Sequence, residues 1–139
     1  MRNEARSILL VQMGHETYGI PIEMVRELTP CPHVTQVPVP FPHQKGMAAL
    51  RGEFIPILDL CSLCGYPGEN PSLLVVAEQG GKALGYLVSG VESIVSVAVE
   101  DIELACAELA GGSIKEIAKL GEGRLVGVLD FEQLIGNRL

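Results

Sequence analysis

The chain repeats itself. Residues 51–65 (Arg-Gly-Glu-Phe-Ile-Pro-Ile-Leu-Asp-Leu-Cys-Ser-Leu-Cys-Gly) align without a gap to residues 122–136 (Glu-Gly-Arg-Leu-Val-Gly-Val-Leu-Asp-Phe-Glu-Gln-Leu-Ile-Gly) at a shift of 71. Gly52, Leu58, Asp59, Leu63 and Gly65 fall on Gly123, Leu129, Asp130, Leu134 and Gly136, and the apolar positions between them correspond. A second match lies upstream. Leu9-Leu10-Val11, Gly19 and Val25 correspond to Leu73-Leu74-Val75, Gly85 and Val91, at shifts of 64 to 66 that imply short insertions. Two copies cannot make a solenoid, which needs at least about three. They imply two similar subdomains, residues 8–66 and 72–130, in one domain over 1–139. Chance similarity between two strand-turn-helix units is the competing reading.

The composition can support such a core. The chain has 139 residues, and at this size folding buries roughly two-thirds of the surface an unfolded chain exposes. With 47% hydrophobic and 19% charged residues, it is no disordered polar chain. Aromatics are only 4% and Trp is absent, so the interior must be built from Val, Ile, Leu and Ala.

The formal net charge is −7, and the ten Lys and Arg are scattered. No basic stripe marks a nucleic-acid partner, and an anionic membrane surface would repel the chain on average. No apolar run reaches the ~18 residues a membrane helix needs. The first residues are polar and lack the apolar stretch of a secretory leader. Cytoplasmic localisation follows as the expectation, with Cys31, Cys61, Cys64 and Cys106 as reduced thiols.

Short apolar runs separated by turns point to an all-β fold. Residues 8–13 and 18–20 form a hairpin around Gly14. From Pro21, Ile22, Val25 and Leu28 would share the face of a short helix at i, i+3 and i+6, with an extended form as the alternative. Five prolines between Pro30 and Pro42 allow only extended chain, with an edge strand over Val34–Val37. Residues 54–58 read as a strand in which Pro56 calls for an edge position or a bulge. Asp59 would cap a helix over Leu60–Cys64. The second half repeats the scheme. Gly80-Gly81 and Gly121–Gly123 make hairpin turns, residues 94–99 form a strand, residues 100–112 form a loop or one helical turn, and Asp130 caps a final helix over 130–138. Short strands with frequent turns fit small barrels better than a parallel sheet.

Four stretches, in order, resemble the CheW-like domain family. They are Ile8 to Leu28, with Tyr18-Gly-Ile20 and Val25-Arg-Glu-Leu28; Val34-Thr-Gln-Val-Pro38; Gly46-Met-Ala-Ala-Leu-Arg-Gly52 followed by Ile55-Pro-Ile-Leu-Asp-Leu60; and Lys119 to Val126 with Leu129-Asp130. The resemblance implies two intertwined SH3-like five-stranded β-barrels around a shared core. It also implies a non-catalytic adaptor that couples chemoreceptors to a histidine kinase. Its partners would be the regulatory domain of the kinase and the cytoplasmic tip of the receptor, and it would need no cofactor.

The resemblance places partner binding at Arg51, Gly52, Gly46, Ile22, Val25 and Glu27. Arg51 stands in a turn, where a planar fork of donors suits a carboxylate or backbone carbonyls; a structural ion pair that fixes the turn is the competing role. Gly52 reads as a positive-φ requirement and Gly46 as a close backbone approach. Ile22 and Val25 suit a receptor-facing apolar patch or ordinary core packing, and Glu27 a contact or a solvated charge.

Two other classes compete. Cys61 and Cys64 form a C-x-x-C, but a structural zinc site needs two further ligands, and the thioredoxin context of a βαβ unit is missing. No nucleophile motif, phosphate loop or histidine-metal motif supports an enzyme. A general SH3-like interaction module outside chemotaxis remains as the alternative adaptor.

Overall fold

A computed structural model describes residues 4–38, 44–63, 71–105 and 114–129. Those residues form β1 (Ala5–Met13), β2 (Glu16–Pro21), β3 (Val25–Pro30), β4 (Gln44–Leu50), β5 (Glu53–Asp59), β6 (Leu73–Gln79), β7 (Lys82–Val88), β8 (Gly90–Ala98), β9 (Ile102–Leu104), β10 (Ile114–Lys119) and β11 (Leu125–Leu129). A single α-helical turn, α1 (Leu60–Leu63), and short 3-10 turns complete them. The expected helix over 130–138, with Asp130, lies outside the described residues, as do Cys64, Cys106, Pro40 and Pro42.

Three hairpins close through two-residue turns: Gly14-His15, Arg51-Gly52 and Gly80-Gly81. Both residues of the last two turns have positive φ: Arg51 51° and Gly52 84°, Gly80 61° and Gly81 80°. Such turns match the right-handed twist of the strands they join.

The strands make two sheets, ordered β8-β1-β2-β11-β10-β9 and β3-β6-β7-β5-β4. Neighbours are antiparallel except for two parallel junctions, β2 with β11 and β5 with β7. Each sheet therefore combines a hairpin from one half of the chain with strands from the other, cutting across the expected subdivision at 8–66 and 72–130. The reason is in the strand sequences. β1 and β6 are apolar on both faces, and such strands need cover on both sides. Interleaving supplies it.

Strand register refines the repeat. Leu10 pairs with Gly19 and Val76 pairs with Gly85, so β1 to β3 map onto β6 to β8 at a constant shift of 66. Ile8 thus corresponds to Leu74, and the insertions inferred from Leu9-Leu10-Val11 are not present. The bulges agree: pairing skips Arg26 in β3 and Glu92 in β8, which are also 66 apart. At the parallel junctions Gly19 faces Val128 and Gly85 faces Ile57, which preserves the shift of 71 between Ile57 and Val128. Close packing explains both glycines. A Cβ on Gly19 would lie 2.7 Å from Ile8 Cγ2, and one on Gly85 2.7 Å from Ile57 Cδ1 and 2.9 Å from Leu74 Cδ1.

Alternation along the strands divides the interior into three cores. Ile8 and Leu10 of β1 join Val97, Ala118, Val126 and Val128 inside the first barrel. Leu74 and Val76 of β6 join Ala48, Ile55, Ile57 and Leu87 inside the second. The opposite faces of the same strands, Leu9, Val11 and Met13 with Val75 and Ala77, meet in a shared core with Ile20, Leu58, Leu60, Tyr86, Val88 and Leu129. Closure is visible at the edges. Glu27 on β3 is ion-paired with Arg51 of the β4–β5 turn. Because β3 and β4 are opposite edges of their sheet, that contact requires the sheet to curl. In the other sheet the edge strands β8 and β9 run into each other through the 3-10 turn Val99–Asp101.

Several local expectations are corrected. Only Ile22–Met24 is helical; the chain becomes β3 at Val25, and strand alternation then exposes Leu28 while Val25 faces inward. The β-branched Val25 and Thr29 suit the pleated form when a sheet edge is free to accept it. Val34–Val37 is not a strand but a single bridge, Thr35 with Met47. Its counterpart in the other sheet is β9, which lies where residues 100–112 were expected to form a loop or helical turn. The difference follows from Pro30, Pro32 and Pro38, which cannot donate to a ladder. Pro56 sits inside β5 opposite Met47, without a bulge, just before the stretch that pairs with β7.

Candidate partner-binding surface

The β4–β5 turn carries Arg51 at φ 51°, a left-handed conformation that costs an L-residue ~1–2 kcal/mol. Gly52 follows at φ 84°, and a Cβ there would meet nothing within 4 Å, so its role is conformational freedom. The strained turn aims the Arg51 side chain across to β3. Its Nε donates to Glu27 Oε1 at 2.8 Å and its Nη2 donates to Oε2 at 2.9 Å. This forked geometry fixes orientation as well as attraction. The Arg51 side chain is still 71% exposed, against 17% for Glu27. Hydrogen bonding from Arg51 holds the Glu27 carboxyl below the usual carboxylate range, against the opposing effect of burial, and the Arg51 guanidinium is raised in return.

Beside this pair, Arg26 hydrogen-bonds Glu53 on β5 and Glu78 on β6. Its guanidinium is raised, first by Glu78 and then by Glu53. Two arginines and three glutamates thus ring one end of the second barrel. Phe54, next to Glu53, is 76% exposed. It borders a largely apolar groove of about 350 Å³ whose walls include Pro32, Thr35, Val37 and Met47.

Gly46 makes that groove possible. Its φ is 153°, and a Cβ there would lie 2.2 Å from the carbonyl oxygen of Thr35. Only glycine lets the 32–37 segment lie against β4, where Thr35 and Met47 exchange two backbone hydrogen bonds of 2.8 Å. The close approach read from the sequence is what the backbone shows.

Of the six residues singled out, Arg51, Gly52 and Glu27 come together, and Gly46 shapes the adjoining groove. Ile22 and Val25 do not join them; both are partly buried against the shared core. Arg26, Glu53, Glu78 and Phe54 were not singled out. Phe54 had a signal: it is out of phase with Ile55 and Ile57, which alternate into the barrel.

Cys61 is fully buried and lies 3.4 Å from Ser89 Oγ, and burial pushes the Cys31 thiol up. Among the described residues, no three His, Cys, Asp or Glu side chains cluster so as to hold a metal ion. No helix there is long and apolar enough to cross a membrane.

The sequence profile of the CheW-like domain matches residues 7–138. The chain belongs to the CheW-like domain family. A chemotaxis protein CheW from Klebsiella aerogenes is 29% identical over 138 residues, covering 95% of this chain and 82% of that protein. One from Rhizobium meliloti is 24% identical, covering 96% and 90%. The crystal structure of scaffolding protein TtCheW from Thermoanaerobacter tengcongensis superposes with a TM-score of 0.82 at 22% identity, over 93% of this chain and 86% of that one. That likeness establishes the CheW fold: almost entirely β, in two sheets. As a CheW-like domain, the chain is a chemotaxis coupling adaptor.

Proposed function

We propose that this chain couples chemoreceptors to a chemotaxis histidine kinase in the cytoplasm, by binding both and catalysing nothing itself. The kinase contact is its regulatory domain and the receptor contact is the cytoplasmic tip. The observation that supports the reading most directly is the β4–β5 turn. Arg51 is oriented by Glu27 yet left mostly exposed, beside the exposed ring of Phe54 and its apolar groove. A desolvated aromatic anchor next to an oriented arginine is the pairing that dominates the energy of many protein interfaces. Arg51, Gly52 and Glu27 form the contact, Gly46 maintains the groove, and Ile22 and Val25, partly buried against the shared core, brace this end of the chain.

Titration calorimetry against the regulatory domain of the co-occurring kinase tests the proposal. Saturable 1:1 binding that is lost in Arg51→Glu, with melting temperature lowered only by the loss of the ion pair with Glu27, is the expected result. Binding that survives both Arg51→Glu and Phe54→Ala removes this surface from the kinase contact. No binding by correctly folded wild-type protein removes the kinase from its partners.

A further inference from the structure

The two barrels are closed by equivalent ion pairs of opposite polarity. In the second barrel, Arg26 on β3 pairs with Glu53 at the start of β5. In the first, Glu92 on β8 pairs with Arg124 just before β11, with contacts of 2.7 Å to both carboxylate oxygens. Arg26 and Glu92 are equivalent by the shift of 66, and each is the residue skipped at the bulge. Glu53 and Arg124 are equivalent by the shift of 71. The same bond has been built twice with its charges exchanged.

A third position extends the pattern. Arg26 also pairs with Glu78 on β6, a strand from the other half of the chain. The residue equivalent to Glu78 is the uncharged Gln12 on β1, by the register that sets Leu10 opposite Gly19 and Val76 opposite Gly85. Arg124 instead donates to Thr17 Oγ1 on β2 at 3.0 Å. Hydrogen bonding from Arg124 holds the Glu92 carboxyl below its usual range.

A chain with two similar halves has wrong ways to assemble, and misassembly is a common failure of repeated folds. If the β4–β5 hairpin closed on β8, and the β10–β11 hairpin on β3, Glu53 would meet Glu92 and Arg124 would meet Arg26. If each half kept its own central hairpin, β8 would lie beside β6 and bring Glu92 to Glu78, while Arg26 would meet Gln12. The first arrangement turns both attractions into repulsions, whereas the second keeps Arg26–Glu53 and Glu92–Arg124 and is opposed through Glu78 alone. Opposed like charges act against wrong pairings even where the correct pairs add little stability.

We propose that the reversed polarity of Arg26–Glu53 and Glu92–Arg124, with Glu78 at one of the two junctions, tells the halves apart during folding and directs each hairpin and edge strand to its own barrel. The apolar repeat distinguishes the halves less sharply, because Gly19 and Gly85 are identical, as are Leu58 and Leu129, and most other buried positions exchange one aliphatic side chain for another.

The test erases the difference while keeping the native pairs. Arg26→Glu with Glu53→Arg and Glu78→Gln gives both barrels the polarity of the first. Independently, Glu92→Arg with Arg124→Glu gives both the polarity of the second. Each variant is unfolded in urea and refolded over a range of protein concentrations, and monomer is separated from dimer and aggregate by size exclusion. The expected result is a monomer yield lowered about threefold, the scale of a few exposed ion pairs, with recovered monomer melting as wild type does. Inverting all five positions (Arg26→Glu, Glu53→Arg, Glu78→Arg, Glu92→Arg, Arg124→Glu) restores the polarity difference and is expected to restore the yield. If the first variant does not fold, the second decides. Wild-type yield in the foldable erased variants overturns the proposal, as does failure of the five-fold inversion to regain yield when its monomer is as stable as wild type.

Discussion

Arg51 and Glu122 are the two non-glycine residues with positive φ among the described residues, and they occupy the same place in the two copies of the repeat. Their φ angles are 51° and 63°, and each is followed by a positive-φ glycine, Gly52 and Gly123. Their surroundings differ. Arg51 is held by Glu27, whereas the residue equivalent to Glu27 is the uncharged Ser93. The left-handed backbone is thus tied to a specific ion pair in one copy only.

Replacing Glu122 with glycine should therefore be stabilising. Relief of the left-handed cost of ~1–2 kcal/mol exceeds the extra backbone entropy of glycine, ~0.5–1 kcal/mol, and leaves a gain of about 0.5 kcal/mol. Urea midpoints of wild type and Glu122→Gly measure it. A lowered midpoint would show that the Glu122 side chain contributes more than its backbone costs.

The Glu27 pair gives a pH dependence. The Glu27 carboxyl is held low in the folded chain, so its contribution is complete above the ordinary glutamate range. It is lost as pH falls through the depressed folded value. Wild type should exceed Glu27→Gln by a constant difference in melting temperature from pH 7 down to about 5, and the two should converge in acid below about pH 4. A difference that persists in acid would rule out the charged pair as its source.

Leu129 is 2% exposed in the shared core, at the end of β11. Leu129→Ala should cost ~2–5 kcal/mol, by lost burial and the cavity left behind. Because that core belongs to both barrels, chemical denaturation should remain a single transition followed equally by far-ultraviolet circular dichroism and by tyrosine fluorescence. Separate transitions would mean that the barrels unfold independently.

Gly46→Ala should cost about 1–3 kcal/mol by overpacking, since its Cβ meets the backbone of Thr35 rather than a movable side chain. Kinase binding should weaken in step, because the groove beside Phe54 depends on the 32–37 segment lying against β4. Unchanged stability would show that the segment moves freely away.

Much of this was legible in the chain. The Gly-Gly and Arg-Gly turns, the runs of β1 and β6, and the correspondence of Leu58 with Leu129 all come from local chemistry and a visible repeat. The interleaving of the halves came from the family resemblance and not from local chemistry, because Gly19 facing Val128 and Gly85 facing Ile57 are long-range parallel contacts between segments equally apolar in either copy. The path after Pro21 was open because Ile22, Val25 and Leu28 suit a helix or a strand. Tertiary pairing with β6 decides for β3, and Leu28 turns outward as a result. At the candidate surface the turn and its glycines were readable, whereas the partner of Arg51 depends on the curl of a whole sheet.

The interleaved sheets also determine where the chain can be divided. A break in the segment 64–70 would separate β1–β5 from β6–β11, at the natural seam of the repeat. Neither piece would own a complete sheet: the first would lack the strands flanking its β1–β2 hairpin, and the second the partners of β6 and β7. Each fragment alone would be left with an uncovered apolar wall, whereas the two produced together hold every strand needed to knit into one body. The repeat looks like a hinge in the sequence and acts as a clasp in the fold.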